Sequence, residues 1–115
     1  MENVQKMEKP NLSYIKRIVH RGMSGKDIKA VQERLESLNQ VYKFCPIPWI
    51  NDKEGIFGKD THSYVTFFQI WMDICTDGWV DKVTADTMEA SYQAIVQAYA
   101  VPTTNISHSI WDRYN

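Results

Sequence analysis

The sequence predicts an all-α fold: a compact three-helix bundle with two pseudo-symmetric turn-helix repeats and an aromatic loop. The main observation is a repeat, because residues 55–61 read GIFGKDT and residues 78–84, at an offset of 23, read GWVDKVT. A glycine, an apolar pair, a lysine and a threonine align in the two copies, and a helical pattern follows each copy. Three segments also place apolar residues three or four positions apart, which is the spacing of an amphipathic helix.

Length and composition limit the chain to one domain and exclude some partners. It has 115 residues, of which 43% are hydrophobic, enough for one modest core. A net charge of −1 does not favour nucleic acid as a partner, because phosphate-backbone binding needs clustered Lys and Arg. No stretch approaches the ~20 apolar residues of a membrane span, so no membrane partner is expected. We find no signal-peptide pattern, and therefore expect synthesis in the cytoplasm without a signal peptide.

The first part of the chain is interpreted as an N-terminal arm, residues 1–18, followed by the domain, residues 19–100. Residues 12–19 have helical spacing, although the segment is short. A glycine-containing turn follows, in which Ser24 is expected to accept a hydrogen bond from a first-turn amide. Asp27 is expected to complement the positive end of the helix dipole.

A first helix is predicted from about residue 26 to residue 40, with Asn39 closing it. Its apolar stripe consists of Ile28, Val31, Leu35 and Leu38. Residues 41–54 are predicted to be loop, because Pro46 and Pro48 remove backbone donors and break helices. This loop carries three aromatic residues, Tyr42, Phe44 and Trp49. Two interpretations stay open: the rings are exposed for binding, or they fold back over the core.

Two further helices follow the repeated turns, at about residues 59–73 and 82–100. Phe57 is expected to point inward as an anchor. Gly58 and Asp81 occupy the same position of the repeat, and both residue types are accepted at a helix N-cap. The core-facing residues are predicted to be Val65, Phe68, Trp71 and Met72 in one helix, and Met88, Tyr92, Ile95, Val96 and Tyr99 in the other.

Metal and redox chemistry are not indicated. Cys45 and Cys75 lie in apolar neighbourhoods and are interpreted as buried free thiols, with a single disulfide as the alternative. The three histidines are scattered and show no metal-ligand spacing with the cysteines, so no metal and no cofactor is expected. Asp52, Glu54 and Asp60 lie close together, but a small three-helix domain offers little cleft for a general acid and base, so no enzyme activity is expected.

The order of these pieces resembles the type 1 peptidoglycan-binding domain. That family has a Gly-x-x-Gly-x-Asp-Val opening, a Leu-Gln-x-x-Leu helix, two Asp-Gly turns each ending in Thr, and a Phe-Gln pair between the turns. The matching residues, within about residues 19–92, are Gly22, Gly25, Asp27, Ile28, Val31, Gln32, Leu35, Leu38, Gly55, Ile56, Phe57, Gly58, Thr61, Val65, Phe68, Gln69, Asp77, Gly78, Val80 and Thr84. Glu54 stands where the family has Asp, and Asp81 where it often has Gly.

The resemblance implies a non-catalytic module that binds cell-wall peptidoglycan, through its glycan or its stem peptide. Together with the missing signal-peptide pattern, it leads us to expect a phage-encoded or lysin-associated component, since such proteins reach the wall without a signal. This component would act at the cell wall or in a virion, with a cell-wall hydrolase or a virion protein as a further partner. Aromatic side chains would stack on sugars and polar groups would bind the peptide. The candidate ligand-binding residues are Trp49, Asp52, Tyr64, Gln69, Trp71 and Trp79. Core packing is the alternative for each tryptophan, and for Gln69 the alternative is a hydrogen bond that ties a loop.

A second function is also consistent with the sequence, namely a protein-interaction or structural module, such as a virion or assembly component, that reuses this fold. Its motivation is the free-standing length and the C-terminal tail, residues 101–115, which carries Ile110, Trp111 and Tyr114. This aromatic tail is expected either to pack back on the domain or to dock on a partner.

Overall fold

The computed structural model describes residues 14–100 and confirms an all-α three-helix bundle. The helices found in that range are α1, Lys26–Tyr42; α2, Lys59–Met72; and α3, Lys82–Ala100. Helix α1 packs against both of the others. The tail at residues 101–115 and residues 1–13 of the arm lie outside the described part of the chain.

The N-terminal end of α1 differs from its prediction. Gly25 is the N-cap residue, and no side chain caps the helix. The predicted capping role of Ser24 is therefore wrong: its carbonyl oxygen instead accepts a hydrogen bond from the Arg17 guanidinium at 2.7 Å. Asp27 does lie in the first turn, and the hydrogen bond from Arg17 is the main reason why the pKa of this carboxyl group is lowered.

Helix α1 also continues past its predicted end. It runs to Tyr42 and is closed by Lys43, whose backbone is left-handed and whose N–H donates to the carbonyl oxygen of Asn39. The Asn39 side chain is buried and holds the following loop instead. Its oxygen accepts from the Cys45 amide at 2.8 Å, and its nitrogen donates to the carbonyl oxygens of Cys45 and Ile47.

Residues 14–19 are not helical, contrary to the spacing-based expectation. Val19 instead pairs with Val80 in an antiparallel bridge, with N–H to O distances of 3.1 and 2.8 Å in the two directions. Tyr14 packs against the core and donates a hydrogen bond to the Ala85 carbonyl oxygen. The described part of the predicted arm is therefore attached to the domain.

The chain between residues 19 and 25 touches both repeated turns. Gly22 donates to the carbonyl oxygen of Phe57, and the Phe57 amide donates to Met23, each at 2.9 Å. Gly25 donates to Gly55 at the same distance. Because the Val19 bridge holds the second turn, this one short segment fastens the starts of α2 and α3 to the start of α1.

The core confirms most of the predicted apolar stripes. Phe57 points inward as predicted, and it and the equivalent Val80 are both buried. Other fully buried side chains come from all three helices: Ile28, Val31, Leu35, Leu38, Tyr64, Val65, Phe68 and Met88. Cys45 is a buried free thiol, and burial raises its pKa, but Cys75 is an exposed free thiol, so its predicted burial is wrong.

A charged pair joins α1 to α3 inside the bundle. The Arg34 guanidinium pairs with the Glu89 carboxylate, whose side chain is only 3% exposed. The rings of Tyr14 and Tyr92 lie 4.3 and 4.8 Å from the guanidinium carbon, and Gln93 donates to the other carboxylate oxygen of Glu89. Since both charges are compensated and hydrogen-bonded, the pair can be buried without an orphaned charge.

Candidate functional site

The first repeated turn, which we call the first corner (residues 52–61), is held from inside by Gln32. The Gln32 side-chain oxygen accepts from the Gly55 amide at 2.8 Å. Its nitrogen donates to the Ile56 carbonyl oxygen at 2.9 Å and to the Thr61 hydroxyl at 3.0 Å. One buried amide therefore satisfies three polar groups of the corner.

The second corner (residues 77–84) repeats this network with Gln69. The Gln69 oxygen accepts from the Gly78 amide at 2.9 Å, and its nitrogen donates to the Trp79 carbonyl oxygen at 2.9 Å and the Thr84 hydroxyl at 3.0 Å. Gln69 is fully buried. These are the hydrogen bonds of the alternative interpretation, in which Gln69 ties a loop.

Both corners present the apolar side chain that follows the glycine to solvent. The residue after the glycine has its carbonyl oxygen bound inward by the glutamine, and its side chain lies outside. This residue is Ile56 in the first corner, 43% exposed, and Trp79 in the second, 47% exposed. The exposure of Trp79 is therefore a consequence of a repeated backbone geometry.

The two corners differ in how they cap the next helix. In the second corner the N-cap residue Asp81 accepts a hydrogen bond from the Thr84 amide at 3.0 Å. In the first corner the N-cap is Gly58, and the carboxylate comes from Asp52 in the preceding loop. Asp52 accepts from the Thr61 amide and hydroxyl, each at 2.7 Å, and from the Gly58 amide. The predicted N-cap equivalence of Gly58 and Asp81 is confirmed.

The electrostatics of Asp52 follow from this role. Burial raises its pKa, but the hydrogen bonds from Thr61, Asp60 and Gly58 together outweigh burial, and the pKa lies below its ordinary value. Asp52 also lines a shallow depression of about 210 Å³ beside α1, with Lys29, Gln32, Glu33, Glu36, Ile50 and Glu54. As the carboxylate is engaged by the helix N-terminus, its capping role accounts for its placement without a ligand.

A pH-dependent loss of stability is expected from this carboxylate. Because its folded-state pKa is lowered, Asp52 stabilises the fold above the ordinary pKa of an aspartate, and this contribution is lost as the pH falls through the folded-state pKa. The variant Asp52→Asn should be less stable than wild type at pH 7, and the difference should shrink toward pH 3. Urea unfolding followed by circular dichroism at several pH values measures it; a difference independent of pH would contradict the expectation.

Tyr64, a candidate for the rim of a binding groove, lies in the core instead. Its ring is fully buried, its hydroxyl donates to the Ile47 carbonyl oxygen at 2.6 Å and accepts from Asn39, and burial raises its pKa to about 12. The sequence signal for Tyr64 was its position four residues before Phe68, on the same face of the helix. Of the three aromatic residues predicted to lie in the loop, Phe44 packs against the core, whereas Tyr42 and Trp49 are exposed.

Trp71 belongs to a surface cluster at the ends of α1 and α2, which we call the aromatic stack (Tyr42, Phe44 and Trp71). Phe44 lies parallel to Trp71, with ring centroids 5.2 Å apart, and Tyr42 lies 4.9 Å from Trp71 at a tilt of 39°. Trp71 is 37% exposed and Tyr42 46% exposed, while Phe44 also packs edge-on against Phe68. Trp71 is thus a surface residue whose inner side is supported by the core, and not the core residue that its stripe predicted.

Trp79 forms a second aromatic surface with His20, which we call the corner pair. Their ring centroids are 4.4 Å apart with an interplanar angle of 23°, so the rings are stacked. The third candidate tryptophan, Trp49, is 60% exposed in the loop. Within residues 14–100 no ring contact joins these three tryptophans, so they form separate surfaces and not one groove. His20 was not among the sequence candidates, because only the pairing of Val19 with Val80 brings it to Trp79.

Comparison with known proteins gives no family assignment: no protein-family model matches the chain, and no curated protein is significantly similar to it. No helix within residues 14–100 is both long enough and apolar enough to cross a bilayer. The same residues contain no group of three His, Cys, Asp or Glu side chains placed to hold a metal ion.

Proposed function

We propose that the protein is a non-catalytic binding module that recognises bacterial cell-wall peptidoglycan, acting at the cell wall or in a virion. The observation that carries the proposal is the exposure of Trp49, Trp71 and Trp79 on a domain whose two corners are fixed by internal hydrogen bonds. The resemblance to the type 1 peptidoglycan-binding domain supports it, because the matched Gly, Gln and Thr residues are those that build the corners.

The physical basis is stacking on rings that need no reordering. A tryptophan face is apolar and carries negative charge density, so it attracts the weakly positive C–H groups on the face of a sugar ring. Such a contact is favourable only if little conformational entropy is lost on binding. Trp71 is held by Phe44, and Trp79 by His20 and by its own hydrogen-bonded backbone, so both rings are ordered before a ligand arrives.

A pull-down with purified cell-wall sacculi tests the proposal. We expect wild-type protein to sediment with the sacculi, and the variant Trp49→Ala/Trp79→Ala to remain mostly in the supernatant, since stacking surface is lost while the core is untouched. The matched control is Ile56→Ala/Ile70→Ala, which removes two exposed aliphatic side chains. Equal sedimentation of wild type and the tryptophan variant, or none by wild type, would count against wall binding.

The aromatic stack favours a second candidate function, a protein-interaction module. Tyr42, Phe44 and Trp71 form a contiguous, partly exposed apolar surface with supported rings, and aromatic residues of this kind are enriched at protein interfaces. Size-exclusion chromatography with light scattering separates the candidates. Self-association that is lost in Trp71→Ser but retained in Ile70→Ser would support an interaction surface, and a strictly monomeric wild type at high concentration would weaken it.

A further inference from the structure

Trp79 is held in place by hydrogen bonds on both sides of its backbone. Its amide donates to the Asp77 carboxylate at 3.0 Å, and its carbonyl oxygen accepts from Gln69 at 2.9 Å. The next residue, Val80, is bridged to Val19 in both directions. The indole therefore projects from one of the most constrained backbone positions of the domain, although nearly half of the side chain is exposed.

The bridge also determines which residue lies against the indole. In an antiparallel pair the residue after Val19 lies opposite the residue before Val80, so His20 faces Trp79. Their rings are stacked with centroids 4.4 Å apart. The neighbouring residue Ile18 is also exposed. The result is a small platform of two ordered rings, one stacked on the other.

His20 adds a directional polar group to this platform. Its Nδ1 lies 3.0 Å from the Arg21 carbonyl oxygen, and because a carbonyl oxygen can only accept, Nδ1 must carry the hydrogen. In the neutral ring Nε2 is then an acceptor, and it has no partner among residues 14–100. The platform therefore combines a stacking face with one free acceptor, which suits a ring that carries an N–H or O–H donor at its edge.

We propose that the corner pair, His20 and Trp79, is a subsite for one N-acetylhexosamine ring of a glycan strand. The inference rests on the proposed function in taking the wall as the natural source of the glycan, and it commits to the sugar rather than the stem peptide. The sugar lies beside the imidazole, on the part of the same indole face that His20 leaves uncovered. From there its acetamido N–H or a neighbouring hydroxyl donates to Nε2 of His20 in the plane of the imidazole ring. The pair has no carboxylate or amide of its own with which to recognise a peptide.

The first corner supplies an internal control. Ile56 occupies the position of Trp79, its carbonyl oxygen is bound by Gln32 as that of Trp79 is by Gln69, and it is exposed to a similar extent. It lacks an aromatic face. Replacing Ile56 by Ala thus tests loss of an exposed apolar side chain at the same backbone geometry, whereas replacing Trp79 by Ala tests loss of the stacking ring.

The experiment is titration calorimetry with two soluble tetrasaccharides. The probe is the β-1,4-linked tetramer of N-acetylglucosamine, and its control is the β-1,4-linked tetramer of glucose, which has the same backbone without acetamido groups. We expect wild type to bind the acetylated tetramer in preference to the glucose tetramer. Trp79→Ala should bind it at least roughly tenfold more weakly, and Ile56→Ala should bind like wild type. His20→Phe keeps a stacked ring without the acceptor, so it should lose most of the preference between the two tetramers.

The outcomes separate this inference from the proposed function. Unchanged binding by Trp79→Ala, or no binding of the acetylated tetramer by wild type, overturns the subsite even if sacculi are bound. Binding of the tetramer that depends on Trp79, with no sedimentation on sacculi, supports the subsite and counts against the wall as its target. Circular dichroism and thermal unfolding of each variant confirm that the surface substitutions leave the fold intact.

Discussion

Replacing Gln69 by Leu should remove most of the stability of the domain. Leucine has no hydrogen-bonding group, so it leaves the Gly78 amide, the Trp79 carbonyl oxygen and the Thr84 hydroxyl without their buried partner. Each orphaned group costs about 1–3 kcal/mol, so the loss from the three groups should be roughly 3–9 kcal/mol. A domain of this size has a total of only about 5–15 kcal/mol. Urea unfolding followed by far-ultraviolet circular dichroism measures the change.

The pseudo-symmetry makes the prediction sharper, because Gln32→Leu should have an effect of similar size through the first corner. Gln40→Leu, at an exposed position of the same helix as Gln32, is the matched control and should change the stability by less than about 0.5 kcal/mol. If Gln69→Leu unfolds at the same urea concentration as the control, the hydrogen bonds of Gln69 do not stabilise the second corner.

The helices could be predicted from the sequence because each has a strong apolar stripe and a clear boundary signal. The starts of α2 and α3 at Lys59 and Lys82 follow from the repeated turn, in which a glycine with φ near +80° precedes the helix by a few residues. Phe57 was predictable as an anchor for the same reason. These features depend on local spacing, which one sequence displays directly.

The errors arise where a distant partner determines the local structure. Residues 14–19 have the spacing of a helix, but the hydrogen bonds of Val19 go to Val80, which is 61 positions away in sequence. Asn39 has the residue type of a helix end, but its side chain is used to hold the loop at Cys45. Propensity cannot show either contact, because both depend on how the helices pack.

The candidate site residues also fall into two groups, the aromatic residues and the polar residues. Of the aromatic candidates, Trp49, Trp71 and Trp79 are exposed, although the helical stripe predicted a core position for Trp71, and Tyr64 is buried. The polar candidates Gln69 and Asp52 instead satisfy backbone groups of the fold, since a corner or a helix N-terminus exposes donors that need partners. The matched motif positions thus build the scaffold, and a resemblance based on them predicts the fold better than it predicts the ligand contacts.

The second large effect on stability is expected when the carboxylate that caps α2 is moved from Asp52 to position 58. Asp52→Ala should cost about 2 kcal/mol, because the N-terminus of α2 loses its carboxylate acceptor. Gly58→Asp should cost about as much or more, since a Cβ at position 58 would lie 2.6 Å from the Asp52 carboxylate and two negative charges would meet. The double variant Asp52→Ala/Gly58→Asp should be more stable than either single variant, because it copies the arrangement of Asp81 in the second corner.

Two measurements decide this exchange. The control variant Asp52→Ala/Gly58→Ala has neither the clash nor a cap. In urea unfolding, the free energy of unfolding of Asp52→Ala/Gly58→Asp should therefore be about 1 kcal/mol higher than that of the control. If the destabilisation of Asp52→Ala/Gly58→Asp equals the sum of the two single effects, the two corners are not equivalent.

The same double variant, which we call the rescued variant, folds without the Asp52 carboxylate. Its sedimentation with sacculi therefore separates a capping role of Asp52 from a ligand-binding role. Wild-type sedimentation by the rescued variant would assign Asp52 to the scaffold alone, and a loss at full stability would return it to the binding surface.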